Sequence, residues 1–201
     1  MNIFSLRHSL YRKVEMTLFD LRIAQMKNRQ VHIGYGSNLQ LVGLPRLQLM
    51  KDSELRIGAQ CIFRSRPESN PIGVDQPVTF CTLLATAKIV IGDRVGISGG
   101  TICARQLIEI GYGTLIGANT YIFDNDFHPI DPIARAEDDY SLVRSAPVRI
   151  GSNVFIGARS IILKGVTIGD NAVIGAGSVV TQNIPCNAVA GGNPCKVRGQ
   201  S

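Results

Sequence analysis

The residues best suited to chemistry lie together in one short segment. From residue 123 to residue 135 its sequence is Phe-Asp-Asn-Asp-Phe-His-Pro-Ile-Asp-Pro-Ile-Ala-Arg. His128 has three carboxylates within four residues, and Pro129 restricts the backbone that carries it. A carboxylate or a backbone carbonyl on one ring nitrogen fixes the tautomer of an imidazole and leaves the other nitrogen free to take a proton. We therefore predict that His128 is a general base. The side chains predicted to orient it or to contact its substrate are Asp124, Asn125 and Asp126.

Other kinds of catalysis have less support in the sequence. No Ser or Cys stands beside a His with the roles of a catalytic triad, which disfavours a covalent mechanism. His8, His32 and His128 are too scattered to form a three-histidine zinc site, so we predict no metal. The five cysteines contain no Cys-x-x-Cys pair, and we expect inert buried thiols.

A strict repeat of six residues follows this segment and must help to position it. Between Val148 and Val180, every sixth residue from Ile150 to Ile174 is Ile, and in four of these five units the next residue is Gly. A helix with 3.6 residues per turn cannot keep one face apolar through such a repeat. A β-sandwich would show turn signals at irregular spacings of about 8–12 residues. Short strands closed by glycine-assisted corners and stacked as a parallel β-helix fit the pattern.

The same repeat appears earlier in the chain with two interruptions. It runs through Leu55–Phe63 and resumes at Ile89. Thr101 and Cys103 continue this register, which then slips by one residue before Ile108. Residues 64–82, which contain three prolines, and residues 124–146 interrupt it. We predict that both segments are loops extruded from the coils. The first is either a solvated excursion or a recognition loop.

The N-terminal residues follow a different period. Five apolar side chains at helical spacing predict one or two amphipathic helices; they are Leu6, Leu10, Val14, Leu18 and Leu21. We favour a cap on the first coil over a basic helix lying on an anionic membrane. The predicted division is an N-terminal helical cap at residues 1–29 and a β-helix domain at residues 30–198.

The composition limits the compartment and the partners. No apolar run reaches the about 18 residues that a membrane span needs. The N-terminus also lacks the apolar segment of a signal peptide, so we expect a cytoplasmic protein. The net charge of +6 suits nucleic acid, a membrane surface or a polyanionic small molecule. No Lys/Arg run carries interleaved aromatic residues, so nucleic acid is not expected.

The repeats, the segment His128-Pro129-Ile130-Asp131-Pro132 and the tail Gly191-Gly192-Asn193-Pro194-Cys195-Lys196-Val197 together resemble the hexapeptide-repeat acyltransferases. The similarity is to maltose and galactoside O-acetyltransferases and to surface-polysaccharide O-acetyltransferases. It covers most of residues 55 to 198. It implies a left-handed β-helix with three hexads per coil, acetyl-CoA as the co-substrate, and a homotrimer with active sites between subunits.

The resemblance also implies roles for single residues. His128 matches the family's base, and Gly99 and Ala104 stand where the sugar enzymes carry Asn and Asp. A Gly and an Ala offer no side-chain hydrogen bond to a hydroxyl, which disfavours a free mono- or disaccharide acceptor. The positions that match cofactor-binding residues are Phe155, where Trp is common, Ala158, Ala176, Thr181, Gln182, where Lys is usual, and Lys196, where Arg is usual.

The function expected from sequence is therefore acetyl-CoA-dependent O-acetylation of a sugar hydroxyl, in the assembly of a surface polysaccharide or lipopolysaccharide. The acceptor would be a larger glycan or a carrier-linked sugar. One alternative is N-acetylation of an amino sugar, which has less need of a base. Another is a β-helix that serves as a non-catalytic scaffold.

Overall fold

A computed structural model describes residues 3–200, with side chains from Leu10 onward. Most of this length winds as a parallel β-helix whose strands form three sheets, called here sheets 1, 2 and 3. Successive strands along the chain belong to sheets 1, 2 and 3 in turn, so each set of three strands completes one coil. The predicted left-handed parallel β-helix is confirmed.

The six complete coils are numbered from the N-terminal end, and each takes one strand from every sheet; the last two strands of sheet 2 lie beyond them. Sheet 1 consists of β1 (His32–Tyr35), β4 (Glu54–Ile57), β7 (Lys88–Ile91), β10 (Leu107–Ile110), β13 (Val148–Ile150) and β16 (Thr167–Ile168). Sheet 2 consists of β2 (Gln40–Val42), β5 (Ile62–Arg64), β8 (Gly96–Ser98), β11 (Leu115–Ile116), β14 (Phe155–Ile156), β17 (Val173–Ile174), β19 (Ala188–Gly191) and the antiparallel β20 (Lys196–Gln200). Sheet 3 consists of β3 (Arg46–Gln48), β6 (Thr79–Thr82), β9 (Thr101–Ala104), β12 (Tyr121–Phe123), β15 (Ile161–Ile162) and β18 (Val179–Val180).

The core is made of side chains that stack directly on their register partners in the next coil. On sheet 1 these are Ile57, Ile91, Ile110, Ile150 and Ile168. On sheet 2 they are Phe63, Ile97, Ile116, Ile156 and Ile174. On sheet 3 they are Phe80, Ile102, Ile122, Ile162 and Val180. Full burial of such a side chain stabilises the fold by about 1.5–3 kcal/mol, so the six-residue repeat supplies the main driving force for stacking.

Glycines at the corners allow the coils to approach one another closely. A Cβ atom added at Gly157 would lie 2.4 Å from the backbone nitrogen of Ala176 in the next coil. No real side chain tolerates that distance, so the Gly that follows the inward Ile is a requirement of the stacking.

The register of β9 differs from the prediction. Thr101 and Cys103 were expected to face the core, whereas Ile102 does so and is 2% exposed. The shift arises one corner earlier, where Gly99 and Gly100 both have positive φ and shorten the turn. A Cβ atom at Gly100 would lie 2.1 Å from the carbonyl oxygen of Thr120, so only Gly fits there.

The first extruded loop is shorter than predicted. Arg64 ends β5 and residues 79–82 form β6, so the loop comprises residues 65–78 and is called loop 65–78. The prediction failed at its C-terminal side because Phe80 is fully buried between Leu47 and Ile102, which extends sheet 3. The second loop, loop 124–147, joins β12 to β13 as expected and contains α2 (Pro132–Ala136) and a short 3₁₀ helix (Tyr140–Leu142). Another 3₁₀ turn, Pro67–Ser69, lies in loop 65–78.

The N-terminal segment forms one helix, α1 (Ile3–Asn28), which lies on the first coil. Its buried side chains are Glu15, Phe19 and Ile23, and Glu15 pairs with Arg66 and accepts the backbone N–H of Gly43 at 3.1 Å. The apolar stripe predicted to be buried is instead exposed at Leu10, Val14, Leu18 and Leu21, while the side chain of Leu6 lies outside the described residues. The buried set and the exposed set both have helical spacing, so only contact with the first coil determines which of the two is buried.

The expectations about membrane spans and cysteines have different outcomes. Between residues 3 and 200 no helix is long and apolar enough to cross a bilayer. The cytoplasmic location and the division of the chain at residue 29 stay predictions. The thiols of Cys61, Cys103 and Cys195 are buried as expected. The expectation is wrong for Cys186, which is exposed at a corner.

Candidate active site

His128 lies on loop 124–147, which leaves the β-helix at the corner between sheets 3 and 1, and its side chain is exposed. The backbone before it makes a tight turn, because the N–H of His128 donates to the carbonyl of Asp126 at 2.6 Å. Phe127, at the centre of this turn, has a φ of 60°. That conformation is costly for a bulky residue and persists only where its surroundings hold it. Here the side-chain oxygen of Asn125 holds it by accepting the N–H of Phe127 at 2.8 Å.

Asp124 anchors the base of this loop. Its side chain is fully buried, and its two oxygens accept the backbone N–H groups of Arg105, Gln106 and Leu107 at 2.6, 2.7 and 2.8 Å. These three residues lie where the step from the inward Ile102 to the inward Ile110 is eight residues long instead of six. The carboxylate therefore satisfies an irregular corner of the scaffold and fixes the start of the loop, and its hydrogen bonds do not include the ring of His128.

Asp126 faces a cation that sequence reasoning missed. One of its oxygens lies 2.5 Å from Nζ of Lys164, and the two side chains are 22% and 32% exposed. The other oxygen is buried and has no hydrogen-bond partner among the described residues. Lys164 belongs to the hexad in which Leu163, not Gly, follows the inward Ile162, so that break in the repeat was the available signal.

The rest of the loop is held by contacts that the sequence did not reveal. Asp131, the third carboxylate near His128, caps α2 by accepting the N–H groups of Ile133 and Ala134 at 3.0 and 2.9 Å. The ring of Tyr140 lies 5.9 Å from the ring of His128, and the guanidinium of Arg105 donates to the carbonyl of Tyr140 at 2.8 Å. The negative charge of Asp138 raises the pKa of Tyr140 above its usual value.

The residues expected to bind a cofactor lie elsewhere on the coils. The side chain of Phe155 is 49% exposed on the outer face of sheet 2, while Ala158 and Ala176 stack at the corner between sheets 2 and 3. Thr181 and Gln182 are exposed at the end of β18, and Lys196 is exposed on β20. Within one chain, therefore, His128 and the two alanines occupy different corners of the β-helix. Among the described residues, no group of three metal-ligating side chains is present; the side chain of His8 lies outside them.

Comparisons with known proteins agree with the hexapeptide-repeat fold. The family described as hexapeptide repeat of succinyl-transferase matches residues 147–182. The chain is 68% identical over 108 residues to Protein CapG of Staphylococcus aureus, covering 54% of this chain and 50% of that protein. It is 44% identical over 97 residues to the galactoside O-acetyltransferase of Escherichia coli K12, covering 48% and 46%. The chain resembles the hexapeptide-repeat acyltransferases.

The similarity to these relatives covers only part of each protein. The chain spans about half the length of the curated relatives that it matches. A solved structure of a mutant of AntD, an N-acyltransferase from Bacillus cereus in complex with dTDP-4-amino-4,6-dideoxyglucose and coenzyme A, covers 88% of this chain and 87% of its own, with a TM-score of 0.62 and 20% identity. That similarity shows the shared fold of this hexapeptide-repeat chain and the solved protein.

Proposed function

We propose that this chain is an acetyl-CoA-dependent O-acetyltransferase that acts on a sugar hydroxyl. The observation that carries the proposal is the presentation of His128, exposed on an anchored turn beside a hexapeptide β-helix. The name of the galactoside O-acetyltransferase relative supports the same reaction class. The coenzyme A complex of the structurally similar N-acyltransferase supports the choice of donor.

His128 acts as the general base in this mechanism. Its free ring nitrogen takes the proton of the sugar hydroxyl while that oxygen attacks the carbonyl carbon of the thioester, which acetyl-CoA supplies. The imidazolium then returns this proton to the thiolate as the carbon–sulfur bond breaks, so the products are an acetyl ester and coenzyme A. Such assistance matters because an alcohol is a weak nucleophile until its proton is removed, and it contributes about 10²–10⁴-fold in rate.

The residues present fit the proposed cofactor. Phe155 and Leu115 are neighbours on the outer face of sheet 2 and are 49% and 53% exposed, which suits the apolar part of a pantetheine arm. Lys196 is an exposed cation near the C-terminal end, where it would contact phosphate groups. Ala158 and Ala176 offer small side chains and backbone groups along the corner. Thr181 and Gln182 would complete the contacts, with one positive charge fewer than the usual Lys provides.

The separation of His128 from these residues supports a homotrimer with active sites between subunits. The loop of one subunit would meet the corner of its neighbour that carries Ala158 and Ala176. Closed symmetric assemblies bury the same surfaces on every subunit. The mass of the protein in solution tests this. A trimer is expected at micromolar concentration, and a protein that is active as a monomer would contradict shared sites.

The proposed acceptor is a larger glycan or a carrier-linked sugar, used in the assembly of a surface polysaccharide in the cytoplasm. Ala104 is fully buried, and the added Cβ of Gly99 would lie 2.7 Å from a side-chain carbon of Val74 and 2.9 Å from the carbonyl of Gln76. Neither position offers a polar side chain to a small sugar.

Incubation of a glycan panel with acetyl-CoA tests the reaction. Release of free thiol, together with a product heavier by one acetyl group and labile to mild base, is expected for at least one hydroxyl acceptor. A base-stable amide on an amino sugar would instead indicate N-acetylation. No thiol release with any acceptor would favour a non-catalytic scaffold.

A further inference from the structure

A groove with a polar end runs along the outer face of sheet 2, and we call it the Arg64 groove. Its volume is about 240 Å³, and its lining includes Arg64, Asn70, Ser98, Leu115 and Phe155. It exists because the outward position between Ile62 and Leu115 in the register is Gly96, which has no side chain. A Cβ atom at Gly96 would lie 2.9 Å from a terminal carbon of Leu115, so a larger residue would close the floor.

Arg64 places a cation in this groove without a partner. Phe63 points into the core and is fully buried, so the alternation along β5 directs Arg64 outward, beside Ser98 in the register. By contrast, Arg56 pairs with Glu54 at 2.5 Å, and Arg66 pairs with Glu15. In residues 10–200, the half-buried side chain of Arg64 makes no hydrogen bond or ion pair, which leaves its five donors available to a ligand.

The wall of the groove belongs to a loop that is anchored on the corner between sheets 2 and 3. Asn70 belongs to loop 65–78, which runs along the corner between sheets 2 and 3 past two further coils. There the N–H of Asp75 donates to the side-chain oxygen of Asn119 at 2.9 Å, and the carboxylate of Asp75 pairs with Arg159 at 3.1 Å. The groove is therefore present before any ligand arrives.

We propose that the Arg64 groove is the acceptor subsite and that it selects acceptors carrying an oxyanion, either the carboxylate of an acidic sugar or the phosphate of a sugar phosphate. The proposal rests on the proposed function. Phe155, at one end of the groove, is among the expected cofactor contacts, whereas Arg64 lies three strands away, about 14 Å at the usual strand spacing. The donor would thus occupy one end, leaving Arg64 to the acceptor. A guanidinium binds planar carboxylates and phosphates through two parallel hydrogen bonds.

Matched acceptors test the charge requirement. Three monosaccharides serve as fragments of the larger acceptor and differ only in their charged group: methyl glucoside, methyl glucuronide and glucose 1-phosphate. Thiol release from acetyl-CoA is measured with each for the wild type, Arg64→Met, Arg64→Lys and Arg56→Ala. Met keeps the aliphatic length of the side chain without its charge. Lys keeps the charge but lacks the planar guanidinium that can form two parallel hydrogen bonds. Arg56 is a matched control, because it lies on the outer face of sheet 1 and is already paired with Glu54.

The wild type and Arg56→Ala are expected to prefer one of the two anionic acceptors over methyl glucoside, and which of them is preferred identifies the source of the oxyanion. Arg64→Met is expected to lose about 10- to 100-fold in kcat/KM for that acceptor, the range of a charge-assisted contact. The KM for acetyl-CoA should not change, and Arg64→Lys should recover part of the loss. Equal losses for neutral and anionic acceptors, or a raised KM for acetyl-CoA alone, would overturn the proposal.

Binding separates this proposal from the proposed function. If no acceptor gives turnover, the same three sugars are titrated into the protein saturated with coenzyme A. Tighter binding of an anionic sugar that disappears in Arg64→Met would support the subsite even though the proposed reaction had failed. Equal affinity for all three sugars would overturn the subsite, whatever the turnover.

Discussion

Loop 124–147 and loop 65–78 leave different corners of the β-helix, and different kinds of contact hold them. The start of loop 124–147 depends on the buried carboxylate of Asp124, which accepts three backbone N–H groups. At the far end of loop 65–78, the backbone N–H of Asp75 donates to the buried side chain of Asn119. The carboxylate of Asp75 pairs there with Arg159, and these two side chains are 62% and 65% exposed. A buried acceptor that satisfies backbone groups is costly to remove, whereas an exposed ion pair contributes about 0–1 kcal/mol.

This difference matches the tasks that we propose for the two loops. A general base must keep its position within a fraction of an ångström, because misplacement reduces the rate steeply. A wall of an acceptor groove tolerates small movements and gains from adapting to ligands of different size. The rigid contacts lie under His128, and the exposed contacts lie beside the Arg64 groove.

The largest effect is expected at the tip of loop 124–147. His128→Ala should lower kcat by about 10²–10⁴-fold, which is about 3–5 kcal/mol of activation free energy. The fold and the affinity for acetyl-CoA should remain, because the side chain is exposed. Steady-state kinetics with a verified acceptor, together with thermal unfolding, measures both. Retention of more than about a tenth of kcat would exclude His128 as the base and direct attention to Asp126.

A large effect on stability is expected at the base of the same loop. Asp124→Ala removes the acceptor of three N–H groups at a fully buried site. We expect a loss of about 3 kcal/mol in the free energy of unfolding, since each buried unsatisfied group costs about 1–3 kcal/mol and water partly compensates. Urea denaturation measures it. Asp139→Ala is the control, because that carboxylate caps a short 3₁₀ helix at an exposed site, where it accepts the N–H of Ser141 at 3.1 Å and the hydroxyl of Ser141 at 2.5 Å. Equal losses in the two variants would remove the distinction between the loops.

These contacts also mark what sequence alone can predict. The hexads predicted stacked strands, most of the core and the presence of both loops, because stacking ties every sixth side chain to the same environment. They misplaced the register of β9 and the C-terminal end of the first loop. The role of Asp124 was not predictable, since its partners lie 17 to 19 residues earlier at an irregular corner. Likewise, α1 carries two stripes of helical spacing, and contact with the first coil decides that Phe19 is buried while Leu18 is exposed.

A moderate effect is expected where loop 124–147 meets the next coil. Lys164→Met leaves the carboxylate of Asp126 without its ion pair, two residues before His128. We expect kcat to fall about tenfold, equivalent to about 1.4 kcal/mol, with little change in either KM, because the turn beneath His128 loosens. Lys164→Arg should restore most of the rate. If Lys164→Met instead raised the KM for acetyl-CoA at constant kcat, Lys164 would contact the cofactor and would not position the loop.

The smallest effect is expected at the end of loop 65–78, and its dependence on salt sharpens the comparison. Asp75→Ala should lower the free energy of unfolding by at most about 0.5 kcal/mol, because both side chains of the pair with Arg159 are more than half exposed. The N–H of residue 75 still donates to Asn119 in this variant, so the loop keeps one anchor. Screening at about 1 M salt shortens the Debye length to about 3 Å and should erase most of the difference between Asp75→Ala and the wild type. The loss caused by Asp124→Ala should persist at the same salt concentration, since backbone groups in a buried site are little screened. Urea denaturation of both variants at low and high salt measures the contrast. A loss at Asp75 that exceeded about 2 kcal/mol or survived high salt would show that loop 65–78 is held as firmly as the loop that carries His128.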